Sequence, residues 1–222
     1  MEIFIVIPTY NEASNIERVI ADIRYNSQEA KIVIIDDASN DQTIAVAKNL
    51  SVITLQHVVN RGQGAALKTG TEYALNQKAD VIVHFDADGQ FKADEIKDII
   101  TPILNNEADV VFGSRFLDKK SNMPWQKEKI IMPLARMVNR VFFKVKLTDP
   151  QAGFRAFSRK AYEKLNWQQD RMAHCSEIMR NAFQSDLRIK EIPITVIYKD
   201  FGQKFSGGLR ILKDVFIGKF TK

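Results

Sequence analysis

The chain opens on an apolar run, Glu2–Ile7, that stops at Pro8. Behind it, Ser14 and Glu17 stand at capping-box spacing. Ile16, Val19, Ile20 and Ile23 then recur at i, i+3, i+4 and i+7, the stripe of an amphipathic helix. The same alternation continues down the first half. Lys31–Ile35 reads as a strand ending at Asp36-Asp37, and Ser39 and Asp41 supply turn and cap chemistry for a helix near Thr43–Leu50. Val52–Leu55 is a third strand. Asn60-Arg61-Gly62-Gln63-Gly64 leads into a helix through Tyr73 and Leu75. Asp80–Phe85 is a fourth strand, ending at Asp86-Ala87-Asp88-Gly89. Ile96, Ile99, Ile100 and Ile103 mark a helix expected to end or kink around Pro102. Asp109–Phe112 is a fifth strand, closed by Gly113-Ser114-Arg115.

Strands alternating with helices of this length predict βαβ units, a mostly parallel sheet and, through right-handed crossovers, helices on both faces. Ligands of such sheets gather beyond the carboxyl ends of the strands. Here those ends carry Pro8–Glu12, Asp36-Asp37, Asp86–Gln90 and Gly113–Arg115, so polar residues from four strands converge on one crevice. The second half is less regular. Residues 116–128 read as a loop and Lys129–Lys146 as a helix. Asp149–Phe157 reads as a loop leading to a strand, His174–Phe183 as a helix, and Arg188–Tyr198 as an extended run interrupted by Pro193. A final amphipathic stretch follows Gly207-Gly208.

Charge divides the same way. Residues 1–115 hold 17 acidic and 10 basic side chains, and residues 116–222 hold 10 and 22, within a net charge of +5. An acidic half followed by a basic half suggests different partners for each. Arg136, Arg140 and Lys144 recur at i, i+4, i+8 as one basic stripe. Lys119, Lys120, Lys127 and Lys129 lie nearby in sequence. Such a stripe suits an anionic membrane surface, although a solvated helix face has the same pattern. The hydrophobic fraction of 45% is that of a globular chain. The length fits one domain, residues 1–222. A single cysteine, Cys175, excludes an internal disulfide framework. No run of eighteen apolar residues predicts a membrane span. Together these features fit a reducing, cytosolic setting and leave a membrane surface open as a partner.

The chemistry centres on Asp86-x-Asp88. Two carboxylates two residues apart on a turning backbone reach one hard cation, and Mg²⁺ or Mn²⁺ takes such oxygens together with substrate phosphates. Gln90 offers a carbonyl oxygen or orients a metal-bound water. Asp and Gly also favour turns, so the signal gains weight from the other acidic strand ends. Pro8–Glu12 reads either as a simple strand-to-helix connection or as a nucleotide wall, with Tyr10 packing on a ring or ribose and Glu12 accepting from hydroxyls, and Asp37 reads as an acceptor for a base edge. Asp36-Asp37 is equally a turn with a cap. Arg61–Gly64 is neither a P-loop nor a dinucleotide fingerprint, and tight turning with close helix packing accounts for its glycines at least as well as phosphate contact does. His84 reads as structural, His57 has no evident partner, and His174, Cys175 and Glu177 lack the spacing of a zinc site.

IPTYNE at 7–12, DDASNDQT at 36–43, GQGAALKTG at 62–70, DADGQ at 86–90, GSR at 113–115 and DPQAGFR at 149–155 occur in order. Together they resemble glycosyltransferase family 2, in the branch of dolichyl-phosphate mannose synthases and bacterial polyprenyl-phosphate sugar transferases. The later residues match less tightly. The resemblance implies a Rossmann-like nucleotide-diphospho-sugar transferase fold of the A type. It implies that Pro8, Tyr10, Glu12, Ile35 and Asp37 line the nucleoside pocket. It also implies that Asp86, Asp88 and Gln90 hold the metal, that Ala87 lies beside the nucleotide, and that Arg115 meets phosphate or sugar. Lys199 and Lys204 fall in the segment that helps bind phosphates, but depart from its usual arginine-containing pattern. Many relatives carry membrane helices beyond this domain, so the chain is expected to be peripheral or held by a small membrane subunit.

The expected reaction is inverting transfer from a GDP- or UDP-linked sugar to a polyprenyl phosphate, with residues 1–115 binding the donor and residues 116–222 the acceptor. No nucleic-acid partner is expected. A phosphate monoester has its second pKa near ~6 and needs no strong base. A hydroxyl acceptor does need one, and Asp149, then Glu177, are the candidates. With a phosphate acceptor, Asp149 is expected to position it or to counter Arg155. The alternatives are a family 2 enzyme acting on a hydroxyl, a sugar-phosphate nucleotidyltransferase, which would be expected to show a glycine-rich loop after the first strand, and a non-catalytic nucleotide-sugar binder.

Overall fold

The computed structural model describes residues 1–117, 147–149 and 153–198. The elements in chain order are β1 (Ile3–Thr9), α1 (Ile16–Asn26), β2 (Lys31–Asp36), α2 (Thr43–Asn49), β3 (Ile53–Gln56), α3 (Gln63–Asn76) and β4 (Val81–His84). A 3₁₀ turn at Ala93–Glu95 leads into α4 (Ile96–Leu104). Then come β5 (Val110–Ser114), β6 (Arg155–Ser158), α5 (Arg159–Leu165), α6 (His174–Gln184) and β7 (Ile189–Pro193). The seven strands form one sheet in the order β3-β2-β1-β4-β6-β5-β7. All neighbours are parallel except β6, which runs antiparallel between β4 and β5.

Side chains alternate across each strand, so the sheet builds two cores. Ile5, Ile7, Ile34, Val81 and Val83 face one side, against Ile16, Val19 and Ile20 of α1 and Ile96 and Ile99 of α4. Phe4, Val6, Val33, Ile35, Ile82 and Phe112 face the other, against Ala66 and Leu67 of α3, Leu165 of α5 and Ile178 of α6. Each fully buried Ile or Phe contributes roughly 1.5–3 kcal/mol. This is the mostly parallel α/β sheet with helices on both faces that the sequence predicts.

Local details differ. Helix α1 is not closed by a capping box: Asn15 is its N-cap with no side-chain cap bond, and the Glu12 carbonyl accepts from the amides of Asn15 and Ile16 instead. Helix α4 contains Pro102, which has no amide to bond back to the Asp98 carbonyl, and ends two residues later at Leu104, in keeping with the expected end around the proline.

Candidate active site

The sheet order reverses between β1 and β4, where a doubly wound sheet opens its ligand crevice. Their last paired residues are Val6 and His84. Beyond them β1 continues beside β2 through Pro8 and Thr9, while β4 leaves as Asp86–Gly89. A proline is tolerated in this central strand because pairing on the β4 side has already stopped.

The loop after β1 is held by the loop after β2. The Asn11 amide donates to Ser39 Oγ (2.9 Å), the Glu12 amide to Thr43 Oγ1 (2.8 Å) and the Ala13 amide to Asp41 Oδ2 (3.2 Å). In return the Asn40 amide donates to Asn11 Oδ1 (2.9 Å). Asn11 and Ala38 take positive φ values of 57° and 60° to make this fit. Thus Ser39, Asp41 and Thr43 clasp the segment that presents Tyr10 and Glu12. Tyr10 is 45% exposed and available for stacking. Glu12 Oε2 accepts from Asn15 Nδ2 (2.8 Å). Ile35 offers backbone only: its side chain is wholly buried against α3, and a Cβ on Gly70 would lie 2.3 Å from Ile35 Cδ1.

Asp37 is engaged by the protein itself. Its Oδ1 lies 2.7 Å from His57 Nδ1 and accepts from the Arg61 amide (2.9 Å), while Oδ2 accepts from the Gly62 amide (2.6 Å). His57 therefore has the partner that the sequence did not reveal, and its Nε2 lies 2.9 Å from Thr69 Oγ1. The adjacent acids Asp36 and Asp37 are separated by giving each its own donors: Asp36 Oδ2 accepts from the Ser39 amide and from Gln56 Nε2. The glycines of Arg61–Gly64 follow the packing reading. Gly62 has φ 107°, and a Cβ on Gly64 would lie 2.3 Å from the Gln169 carbonyl oxygen.

Gln63 connects this network to the acidic turn, because its Nε2 donates to Asp86 Oδ1 (2.8 Å). On the other oxygen, a Cβ at Gly153 would stand 2.7 Å from Asp86 Oδ2. Burial, then the neighbouring charges of Asp88 and Cys175, push the Asp86 carboxyl up to about 7. Asp88 Oδ1 accepts from the Gln90 amide (2.9 Å), and the Gln90 carbonyl accepts from Ile197 (2.8 Å). Ala87 is buried between the two acids. Two hard carboxylates, one raised first by burial and then by its neighbour's charge, fit a divalent cation, which would offset both. Among the described residues no group of three or more His, Cys, Asp or Glu side chains is arranged to enclose an ion. Two carboxylates alone would leave Mg²⁺ or Mn²⁺ to complete its oxygen shell from elsewhere, as substrate phosphates can.

Arg115, at the end of β5, faces Asp149 across the rim. Its Nε donates to Oδ2 (2.6 Å), its Nη2 to Oδ1 (2.7 Å) and its Nη1 to Tyr198 Oη (2.7 Å). Burial opposes the guanidinium charge, but Asp149 and then Tyr198 outweigh it and raise its pKa. Glu191 Oε1 fixes the turn by accepting from the amides of Thr148 (2.9 Å) and Asp149 (3.2 Å). Asp149 therefore counters Arg115, not Arg155, and both its oxygens are committed before any substrate arrives. Glu177 is likewise engaged, its Oε2 accepting from the amides of Gln168 and Gln169.

Arg155 lies beneath the crevice, 1% exposed, with Nη2 3.4 Å from both His174 Nε2 and Cys175 Sγ. Burial raises the Cys175 thiol pKa, but His174 and Arg155 outweigh it and bring it to about 6. His84 is structural, as expected: it is buried, 3.0 Å from Thr71 Oγ1, and burial holds its pKa well below the usual range. Lys199, Lys204 and the stripe Arg136, Arg140, Lys144 lie outside the described residues. The sequence reading passed over Gln63, Gly153 and Tyr198. Only the glycine-flanked position of Gln63 hinted at its place.

A family model described as glycosyl transferase family 2 matches residues 4–166. The chain belongs to this family. This family 2 glycosyltransferase is 34% identical to the UDP-N-acetylglucosamine--dolichyl-phosphate N-acetylglucosaminyltransferase of Methanococcus voltae, over 90% of this chain and 87% of that protein. It is 28% identical to the polyprenol monophosphomannose synthase of Mycolicibacterium smegmatis, over 96% of this chain and 83% of that one. Glucosyl-3-phosphoglycerate synthase from Mycobacterium tuberculosis, solved with Mn²⁺, UDP and phosphoglyceric acid, superposes with a TM-score of 0.75. That structure covers 96% of this chain and 77% of its own at 17% identity, so the likeness shows a shared fold. Among the described residues no helix is long and apolar enough to cross a membrane.

Proposed function

We propose that this family 2 glycosyltransferase moves a sugar from a UDP- or GDP-linked donor to a polyprenyl phosphate, with inversion at the anomeric carbon. The observation that carries this reading is the 34% identity, over nine-tenths of the chain, to a transferase named for a dolichyl-phosphate acceptor. The site chemistry supports it. Tyr10 and the clasped loop after β1 would hold the nucleoside beside Asp37. Asp86 and Asp88, with Gln90 beside them, would hold Mg²⁺ or Mn²⁺, which would neutralise charge on the departing diphosphate. Mn²⁺ and Mg²⁺ each accompany UDP in structures of the fold neighbour.

Arg115 is oriented by Asp149 before substrate binds, and a fixed guanidinium at the rim suits an acceptor phosphate. A phosphate oxygen attacks the anomeric carbon, the bond to the nucleotide diphosphate breaks, and the bonding pair leaves with the diphosphate. An already ionised phosphate brings no proton to remove, which agrees with a site whose Asp149 is spent on Arg115. The basic stripe of Arg136, Arg140 and Lys144 supports placement at an anionic membrane surface, with or without a separate anchoring subunit.

The test is a transfer assay with UDP- and GDP-sugars, with and without Mn²⁺, offering polyprenyl phosphate and a hydroxyl acceptor side by side. The reading requires metal-dependent glycosylation of the lipid phosphate. Product on the hydroxyl acceptor alone would overturn it, and donor binding without transfer would favour a non-catalytic binder.

A further inference from the structure

We infer that Gln63 is a positioning residue for the metal, a strut that fixes Asp86 from the nucleoside side of the crevice; the inference rests on the metal-site reading above. Gln63 is the first residue of α3, an element held firmly at its start. One residue earlier, the Gly62 amide donates to Asp37 Oδ2 at 2.6 Å, and two residues later the Ala65 amide donates to the Asp170 carbonyl at 3.0 Å. There is no room to shift this turn sideways, because a Cβ on Gly62 would lie 2.6 Å from the same Asp170 oxygen. From this anchored position Gln63 Nε2 reaches Asp86 Oδ1 at 2.8 Å.

The bond has two consequences. It sets the carboxylate plane, so Asp86 need not lose rotamer freedom when a cation arrives. It also occupies Oδ1 with a neutral donor, so that Oδ2 is the oxygen that would remain for a cation. Ligating carboxylates held by outer partners in this way depend on them, and loss of such a partner typically weakens metal binding by 10–100-fold. A neutral amide suits the role. It orients the carboxylate without supplying a positive charge that would compete with the metal.

The test titrates Mn²⁺ into the full chain with UDP present, following free Mn²⁺ by electron paramagnetic resonance, and compares wild type with Gln63→Met, Gln63→Ala and Asp88→Asn. Gln63→Met keeps length and volume but removes the donor. It is expected to raise the Mn²⁺ Kd about 10-fold. Half-saturation of transfer by metal should rise in step, with kcat at saturating Mn²⁺ within about twofold of wild type, a split that general destabilisation does not produce. Gln63→Ala should behave the same way, and it carries the test if the Met variant fails to fold. A Kd within about twofold of wild type in the Gln63 variants, while Asp88→Asn loses Mn²⁺, would overturn the strut and leave the metal site standing. Retention of Mn²⁺ by Asp88→Asn would instead bring down the metal site and the strut with it.

Discussion

Arg115 and Asp149 meet as a two-pronged fork, with the Arg115 amide adding a third donor to Asp149 Oδ2 at 3.1 Å. The pair is dry: the two side chains are 9% and 0% exposed. A carboxylate so placed serves an arginine, and it is badly placed to take a proton from a substrate. The distinction matters because the same aspartate was the first candidate for a base.

The two roles separate by substitution. Asp149→Asn keeps the shape and weakens the hold on Arg115. We expect kcat/KM for lipid phosphate to fall about 10–100-fold, as for a partner of a functional group, with the pH profile unchanged in form. Arg115→Lys should cost a comparable amount, and the double variant little more than the worse single one, since both remove one interaction. A general base would behave otherwise, with loss of a basic limb in the pH–rate profile. Asp149→Ala leaves a buried guanidinium unpaired and should cost about 3–5 kcal/mol of stability, read by urea denaturation.

If Asp86 holds the metal, its raised pKa makes metal binding depend on pH. Its carboxyl is raised to about 7, so the metal-free protein holds that proton at mildly acid pH. The favourable contribution of the protonated group is complete below pH ~4, its ordinary range, and is lost as pH rises through about 7. Mn²⁺ must displace the proton below that value and meets a bare carboxylate above it. The rise in melting temperature produced by a fixed Mn²⁺ concentration should therefore be small at pH 6 and larger at pH 8. Scanning calorimetry with and without metal measures it, and an equal rise at both pH values would contradict the assignment.

Much of this was legible because apolar periodicity and strand-end chemistry are local. The isoleucines of α1 and α4 and the acids after β2 and β4 announce themselves within a few residues. The partners of those acids do not. His57 meets Asp37 across 20 residues, Gln63 meets Asp86 across 23, and Tyr198 meets Arg115 across 83. Nothing in local spacing encodes such pairs. Ser14 and Glu17 mislead for the opposite reason. Their spacing is right for a cap, but the clasp from Ser39, Asp41 and Thr43 sets the loop conformation and leaves the Glu12 carbonyl to close the first turn.

Asp109 offers an acid-stability prediction away from the crevice. Arg188 donates to it through Nε (3.0 Å) and Nη2 (2.9 Å), tying the start of β5 to the start of β7. The Arg188 side-chain bond brings the carboxyl down to about 2 against the opposing effect of burial. A depressed pKa stabilises above the ordinary carboxylate range, and that stability is lost as pH falls through the folded value. Asp109→Asn should therefore melt below wild type at pH 7, and the difference should shrink between about pH 4 and pH 2. A constant difference across that range would show that the aspartate acts through packing instead.

Two glycines make opposite predictions. At Gly153 an added methyl meets Asp86 Oδ2 at 2.7 Å, the far end of a side chain that would have to shift from its bond to Gln63 to make room. At Gly70 it meets Ile35 Cδ1 at 2.3 Å and Val6 Cγ1 at 2.5 Å, both locked in the core between α3 and the sheet. Gly153→Ala should cost little stability but misplace the carboxylate, raising the Mn²⁺ requirement for transfer about 10-fold. Gly70→Ala gains about 1 kcal/mol of helix propensity and loses about 1–3 kcal/mol or more to overpacking. Because the contacts are so short, the loss should win and lower the melting temperature by a few degrees, roughly 2–4 °C per kcal/mol at this size. Its Mn²⁺ requirement should stay that of wild type. Measuring melting temperature and metal half-saturation on both variants tests the placement of Asp86 against the rigidity of the core beneath it. The two substitutions should move different quantities, and a Gly153→Ala variant with unaltered metal dependence would show that Asp86 need not stand where the crevice holds it.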